Sequence, residues 1–339
     1  VAARRARTWV VWLPAWSTIR RQLNPQHGLH RLACQADLTQ SEAGTQARIA
    51  RHFDILPRGL PVAALTRQRD AGDALGQGWL RADPAHVRPD MASARLVACG
   101  DEMHVSAAEA EALLKPLKPV FGDAGFPISA PSPSRWYLSL PRDAQLPRFS
   151  EPAQVYGDDL LAHLPDAAIG ARWRALLNEA QVILHNHPVN AQRQRTGKLS
   201  VNSLWFWGAG RLPDHVRSVL DGVISPDPLL AALAKQAEIS FGTNAAPQPL
   251  PATAGLASME AAWDQDWLAR LGIETSTRVL LDLGHVQSLA EADAHGFNDL
   301  VHGLGAKRLD ALLIDTADGV QLHWRNPHRW RFWRSRLPA

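Results

Sequence analysis

The chain has 339 residues, with 36 Lys plus Arg against 33 Asp plus Glu, two Cys, and 13 Trp beside only two Tyr. A composition of 46% hydrophobic and 20% charged residues excludes wholesale disorder, and no run approaches the roughly 18 apolar residues of a membrane-spanning helix. Cys34 and Cys99 are too few for a Cys-rich zinc site and fit a reducing compartment, while a net charge of +3 does not call for nucleic acid as a partner. At this length two linked units are expected. The basic residues Arg4 to Arg7 and the short apolar run that follows resemble a secretory leader only in part. Pro14 interrupts the run and no small-residue cleavage pattern follows, so a cytoplasmic protein without a membrane span is expected.

In chain order, the run from Thr8 to Trp16 reads as a buried strand ended by Pro14. Ser41 to Phe53 reads as a helix with Ser41 as its N-cap, and Leu60 to Leu65 as a short strand before a Gly-rich loop. Trp79 to Asp90 and Ala94 to Cys99 form a hairpin pattern. Ser106 and Glu109 make a capping box opening a helix with Ala110, Leu113, Leu114 and Leu117 on one face. Pro127 to Leu140 reads as an irregular strand pair, which completes a small α+β unit. Asp166 caps the best helix in the chain, which carries Trp173, Leu176, Leu177, Ala180, Ile183 and Leu184 and stops before Pro188. Leu204 to Trp207 is a strand and Pro226 to Gln236 a helix. After a Pro-rich linker, Met259 to Leu271 and Glu291 to Leu304 read as helices. Arg278 to Leu283, Asp310 to Asp315 and Gly319 to Arg325 read as strands, and this alternation implies an α/β layer.

The segment His185 to Pro213 is the most distinctive. His187-Pro-Val-Asn190, Arg193, Gly197 and Asn202-Ser-Leu-Trp-Phe-Trp207-Gly208-Ala-Gly210-Arg211-Leu-Pro213 resemble cofactor-independent phosphoglycerate mutases of the archaeal type. They are similar also to shorter bacterial relatives labelled RpfE-type regulatory proteins. Trp79-Leu-Arg-Ala-Asp-Pro-Ala-His-Val-Arg88 and Arg135-Trp-Tyr-Leu138 fit the same relatives, so the resemblance covers roughly residues 79 to 213. It implies an α/β fold, an alkaline-phosphatase-like core with an inserted α+β subdomain. The core would be formed by 1–78, 151–242 and 257–339, the insertion by 79–150 and a linker by 243–256.

Mutases of that superfamily hold two divalent metals with Asp and His clusters and pass the phosphoryl group through a hydroxyl nucleophile, because carboxylate-bound cations neutralise the phosphoryl charge. This sequence departs from that pattern. Leu13-Pro-Ala-Trp-Ser17 has no carboxylate where an Asp-Gly pair is expected. Val320 follows Asp318-Gly319 where a His is wanted, and Trp207 stands in place of a phosphate-gripping Arg. The resemblance therefore implies a phosphoglycerate mutase-like protein degenerate at its metal site, acting as a regulatory or ligand-binding protein with no cofactor. The alternative is a metal-dependent phosphotransferase or phosphatase with rearranged ligands, holding Mn or Zn on Asp282, His285 and Asp293.

Each candidate has a plainer reading beside it. His187, Asn190, Arg193, Asn202 and Arg211 suit a small phosphorylated ligand. Alternatively, His185 and His187 cap a helix end, the two Asn residues satisfy loop backbone, and Arg193 is solvated. Gly208-Ala-Gly210 is either an anion cradle or a turn needing positive φ. The tail from His323 to Arg336, with five Arg and three Trp, is either a surface for nucleic acid or for an anionic membrane, or a terminal element packed on the core; a protein partner is also open for the chain as a whole.

Overall fold

The computed structural model describes residues 7–90, 93–164, 167–243, 277–295, 297–298, 300–301, 309–331, 333–334 and 337. Its strands are β1 (Thr8–Leu13), β2 (Asp37–Gln40), β3 (Phe53–Leu56), β4 (Gly78–Pro89), β5 (Ala94–Cys99), β6 (Ile128–Ser132) and β7 (Arg135–Leu140), then β8 (Ser203–Arg211), β9 (His215–Ser218), β10 (Gly222–Ile224), β11 (Ser240–Gly242), β12 (Arg278–Asp282), β13 (Ala311–Thr316) and β14 (Val320–Arg325). The helices are α1 (Trp16–Gln22), α2 (Gly28–Gln35), α3 (Thr45–Ala50), α4 (Val62–Asp70), α5 (Ala107–Asp123), α6 (Pro152–Val155), α7 (Ala167–His185), α8 (Pro188–Arg195), α9 (Pro228–Gln236) and α10 (Leu289–Ala294). None of them is long and apolar enough to cross a membrane. Cys34 and Cys99 are buried free thiols.

The chain divides into two compact units, one taking in residues up to Arg58 and from Asp214 onward, the other Gly59–Pro213. The insertion expected at 79–150 lies inside the second unit, which also takes in 59–78 and 151–213.

The first unit is the expected α/β layer, built on a seven-stranded sheet of order β11-β10-β12-β1-β13-β14-β2. β1 is central and parallel to both β12 and β13, and β10 is parallel to β11 and β12. Strands covered on both faces read as continuous apolar runs, as in Val10-Val-Trp-Leu13 and Val279-Leu-Leu281. On one face Trp9, Val11 and Leu13 pack with Leu29, Leu32, Leu281 and Ile314 in a single apolar cluster. Each such side chain contributes roughly 1.5–3 kcal/mol by leaving water.

The second unit is α+β. One edge of β4 carries β8, while the other carries β7 along its first half and β5 along its second. The sheet packs against α5 and α7, with Leu113, Leu117, Phe121, Trp173, Ala180 and Leu184 joining Trp136, Leu138, Leu204 and Phe206. The predicted capping box is present: Ser106 Oγ accepts from the Glu109 amide and the Glu109 carboxylate accepts from the Ser106 amide.

Two expected elements differ. The helix read from Ser41 begins only at Thr45, after Gly44 turns the chain at φ 98°, and Phe53 already belongs to β3. Ser41 instead donates to Gln321 Oε1 at 3.1 Å. Leu60 to Leu65 is the start of α4, because a short buried apolar run has the same pattern in a helix and in a strand; Val62, Ala63, Ala64 and Leu65 are all buried. The expected cap Asp166, the linker at 244–256, the helix from Met259 to Leu271 and residues 296, 299 and 302–304 of the helix expected from Glu291 to Leu304 lie outside the described residues.

Candidate functional site

Open α/β sheets place ligand sites at the carboxyl ends of their parallel strands, and three such ends lie side by side in the first unit. Trp12 of β1 is in register with Asp282 of β12 on one side and Asp315 of β13 on the other. The three side chains therefore share one face, with the two carboxylate-bearing Cα atoms about two strand spacings, or ~10 Å, apart. Arg48 of α3 covers the indole, its guanidinium carbon 4.4 Å from the ring centroid. Its Nη2 donates to the main-chain oxygens of Leu13 at 3.3 Å and Asp315 at 2.9 Å.

Every carboxylate around this guanidinium is engaged by the chain itself. Asp315, fully buried, accepts a two-pronged fork from Arg51, Nε at 3.0 Å and Nη2 at 2.8 Å. Asp282 accepts from Ser225 Oγ at 2.6 Å and from the Gly284 amide at 2.9 Å. Asp318 accepts from the amides of Trp16 and Ser17 at 2.9 and 3.4 Å and from Thr316 Oγ1 at 2.6 Å. Burial works to raise its pKa, yet these donors hold its carboxyl below the ordinary value.

Arg48 is 6% exposed. Burial pushes its pKa down to about 10 against the pull of Asp315 and Asp282, which leaves it charged at neutral pH. His52 is 3% exposed, with Nε2 4.0 Å from Asp315 Oδ2. Burial, then Arg278, Arg51 and Arg48, push its imidazole down to about 4, so it is neutral near pH 7. The Arg48 Nε, both His52 ring nitrogens and the Trp12 indole nitrogen are buried without a protein partner. A hard divalent cation needs several oxygens with free lone pairs. Here the oxygens that converge are bound by guanidinium, hydroxyl and amide groups, so the residues present do not fit such an ion.

The expected trio Asp282, His285 and Asp293 is not brought together. Asp293 pairs with His27 Nε2 at 2.9 Å, and the His285 ring packs edge-on against His295, centroids 5.7 Å apart. Among the described residues no group of three or more His, Cys, Asp or Glu could hold a metal ion.

The expected phosphate-binding set spends its polar groups on the fold of the second unit. His187 is the N-cap of α8, its Nδ1 accepting from the Val189 amide at 3.3 Å, where a C-terminal cap of the preceding helix was expected. Asn190 donates to Leu184 O and Val201 O at 2.7 and 2.9 Å and accepts from the Val201 amide. Asn202 accepts from the Val87 amide and donates to Val87 O, both at 2.8 Å. Arg193, expected as a ligand contact or a solvated group, is 1% exposed; it bonds Leu199 O, the Glu109 carboxylate and Met103 O. Arg211 is exposed at the end of β8. A Cβ added to Gly208 or Gly210 would come within 2.9 Å of Val62 and 2.5 Å of Pro61, so these glycines admit the start of α4 where an anion cradle was one reading. Trp207 donates to Asp83 Oδ2 at 2.7 Å, and the buried Arg81 grips the same carboxylate at 2.7 and 2.8 Å. Around them Arg135 and Tyr137 both donate to Asp70 at 2.7 Å.

In the tail, Trp324 is buried while Trp330 and Trp333 are exposed, and Arg331, Arg334 and His328 gather around Asp37. Sequence reasoning missed Arg48, Arg51, His52 and Asp315. The one available signal was the spacing of Arg48, Arg51 and His52 by three and four, which ordinarily marks a solvated helix face.

No protein-family model matches the chain. Over 111 residues, 32% of the chain, it is 32% identical to a Geobacter sulfurreducens protein described as "Probable 2,3-bisphosphoglycerate-independent phosphoglycerate mutase". Over 112 residues it is 29% identical to the Methanosarcina barkeri 2,3-bisphosphoglycerate-independent phosphoglycerate mutase. These matches span 28% of each relative's own length. Among solved structures, a cofactor-independent phosphoglycerate mutase of Thermoplasma acidophilum aligns with 95% of this chain and 90% of its own, at 17% identity and a TM-score of 0.39. A Pyrococcus horikoshii protein aligns with 95% of this chain and 88% of its own, at 14% identity and a TM-score of 0.44. A third of the chain is thus similar in sequence to cofactor-independent phosphoglycerate mutases.

Proposed function

We propose that this chain is a phosphoglycerate mutase-like protein with an alkaline-phosphatase-like core, acting as a regulatory or ligand-binding protein rather than as a phosphotransferase. The family part of the reading rests on the local similarity to mutases. The non-catalytic part rests on one observation: Asp282, Asp315 and Asp318 are each engaged by the chain's own donors, and Arg48 beside them is bonded to the main-chain oxygen of Asp315. Phosphoryl transfer needs charge neutralisation at the moving group and an activated nucleophile, and a carboxylate closed by its own protein offers neither. The ligand proposed is a small phosphorylated molecule. The class of site is supported by the position of the cluster at the strands' carboxyl ends and by the unpartnered donors of Arg48, His52 and Trp12.

The test is turnover of 3-phosphoglycerate and of a generic phosphate monoester with Mn or Zn supplied, beside a thermal shift with 3-phosphoglycerate. The expected result is a raised Tm without turnover. Turnover that Asp282→Ala abolishes would overturn the reading in favour of a metal-dependent phosphotransferase, an assignment favoured by the place of Asp282 at the end of a parallel strand.

A further inference from the structure

A tail whose rings pack on the core while its arginines face water describes only part of the segment after β14. Trp324 is 5% exposed, and its indole donates to Gln35 Oε1 at 3.4 Å. Trp330 and Trp333 are 64% and 67% exposed, so two of the largest apolar side chains stand in water where a folded chain ordinarily buries most of such a ring. The turn that carries them is nonetheless tied down. The Asn326 amide donates to Asp310 O at 3.1 Å and its side chain to Asp310 Oδ1 at 3.2 Å. His328 is buried, and Arg331 donates to Gln35 O at 3.1 Å and to both carboxylate oxygens of Asp37.

The charge around the exposed rings is of one sign. Arg331, Arg334 and His328 surround the single carboxylate of Asp37. Arg325 and Arg329 are exposed, and among the described residues neither forms an ion pair with a carboxylate. Arg329 lies over the Trp330 ring, its guanidinium carbon 5.1 Å from the centroid, so a cation and a π face are offered side by side. Exposed indoles interleaved with guanidiniums match a flexible polyanion that carries planar rings: unpaired bases stack on the indoles, and the phosphates between them meet the arginines. An anionic bilayer is the poorer match, because lying on it requires buried apolar area and the chain from Arg325 to Arg334 contains no Leu, Ile, Val or Met. In a duplex the bases stack on one another and offer the indoles no open faces.

We infer that the surface formed by Arg325, Arg329, Trp330, Trp333 and Arg334 binds single-stranded nucleic acid. This partner goes beyond the small phosphorylated ligand proposed above and is independent of it, because neither the Arg48 cluster nor 3-phosphoglycerate enters the test.

The experiment measures binding of the full chain to a labelled oligothymidylate of roughly 12 nucleotides by fluorescence anisotropy at several salt concentrations. Beside it stand the same strand paired into a duplex, an oligouridylate of equal length, and phosphatidylserine vesicles. The chains compared are wild type, Trp330→Ala/Trp333→Ala and Arg325→Ala/Arg329→Ala. Every side chain changed is exposed, so each variant is expected to keep the wild-type Tm. Wild type is expected to bind the single strand more tightly than the duplex, with log K falling against log salt at a slope of about −2, as for roughly three phosphates. Removing both rings should weaken binding about tenfold or more with the slope kept. Removing the two arginines should make the slope shallower by about 1.4, at ~0.7 per phosphate. A preference between oligothymidylate and oligouridylate assigns the partner as DNA or RNA and leaves the inference standing. It is overturned if wild type does not bind, if the duplex or the vesicles are bound as tightly as the single strand, or if either double variant binds as wild type does.

Discussion

Each unit buries a cluster of charged and aromatic side chains, and the two clusters differ in whether the chain completes them. In the second unit Arg81 and Asp83 are closed by the Trp207 indole and the Trp136 amide. Beside them Arg135, Tyr137 and Asp70 form a second closed set, and Arg67 pairs with Asp73 while stacking on Trp79. In the first unit Asp282, Asp315 and Asp318 accept from the chain's own donors, but nitrogens of Arg48, His52, Trp12 and Arg278 lack partners. Among the described residues, every buried side-chain nitrogen or oxygen lacking a partner belongs to the first unit. Closed networks fix a fold, whereas unpaired buried donors cost stability and persist where something other than folding selects them. The text that resembles mutases therefore reads as scaffold, and the less distinctive text around Arg48 reads as site.

The largest effect is expected where a closed network is cut. Asp83→Ala leaves Arg81 buried and unpaired, which should cost about 3–5 kcal/mol, read as a shift in the urea midpoint by tryptophan fluorescence. An effect near zero would mean that the pair is solvated, and the contrast between the units would collapse. Arg193→Ala should cost about 3 kcal/mol, since Met103 O and Leu199 O lose their donor inside the protein. Because Arg193 is read here as scaffold, the thermal shift given by 3-phosphoglycerate should be unchanged in that variant. A lost shift in a chain that still folds would return Arg193 to the ligand.

The open cluster should show itself through pH. His52 is held neutral with its pKa pushed down to about 4, below the ~6.5 of an imidazole in water. The unfolded chain therefore takes up the proton first. Stability is fully present above the unfolded value and is lost as pH falls from about 6.5 to about 4, by roughly 2–3 kcal/mol from this group. Arg48, Arg51 and Arg278 face the ring and strengthen the effect, while Asp315 faces it with the opposite sign. Urea unfolding at intervals across that window should give a slope that His52→Gln flattens. An unchanged slope would show that His52 is not the buried neutral group described here.

The sequence made much of the scaffold legible. Ser106 and Glu109 announce α5 because a capping box is local, and Val279 to Asp282 announces β12 because a doubly covered strand is uniformly apolar. Leu60 to Leu65 misled because six apolar residues carry no period. The site was less legible for a different reason. Arg48 acquires its role from oxygens 35 and 267 residues away in the chain, and no local pattern records such a partner. Asn190, Arg193 and Asn202 misled in the opposite direction: the donors that would grip a phosphate are the same donors that tie a loop to a strand.

Smaller effects refine the comparison at single bonds. Ser225→Ala removes the hydroxyl that Asp282 accepts from at 2.6 Å and should cost about 1–2 kcal/mol. The smallest is Arg211→Ala. Its side chain is exposed at the end of β8, so the stability change should stay within about 0.5 kcal/mol. That near-silence makes it informative, because Arg211 is the member of the mutase-like set whose guanidinium is not buried in the second unit. If the Tm shift with 3-phosphoglycerate survives Arg211→Ala and is lost in Arg48→Ala, recognition belongs to the sheet's carboxyl end. The reverse pattern would move it to the second unit and break the division between scaffold and site.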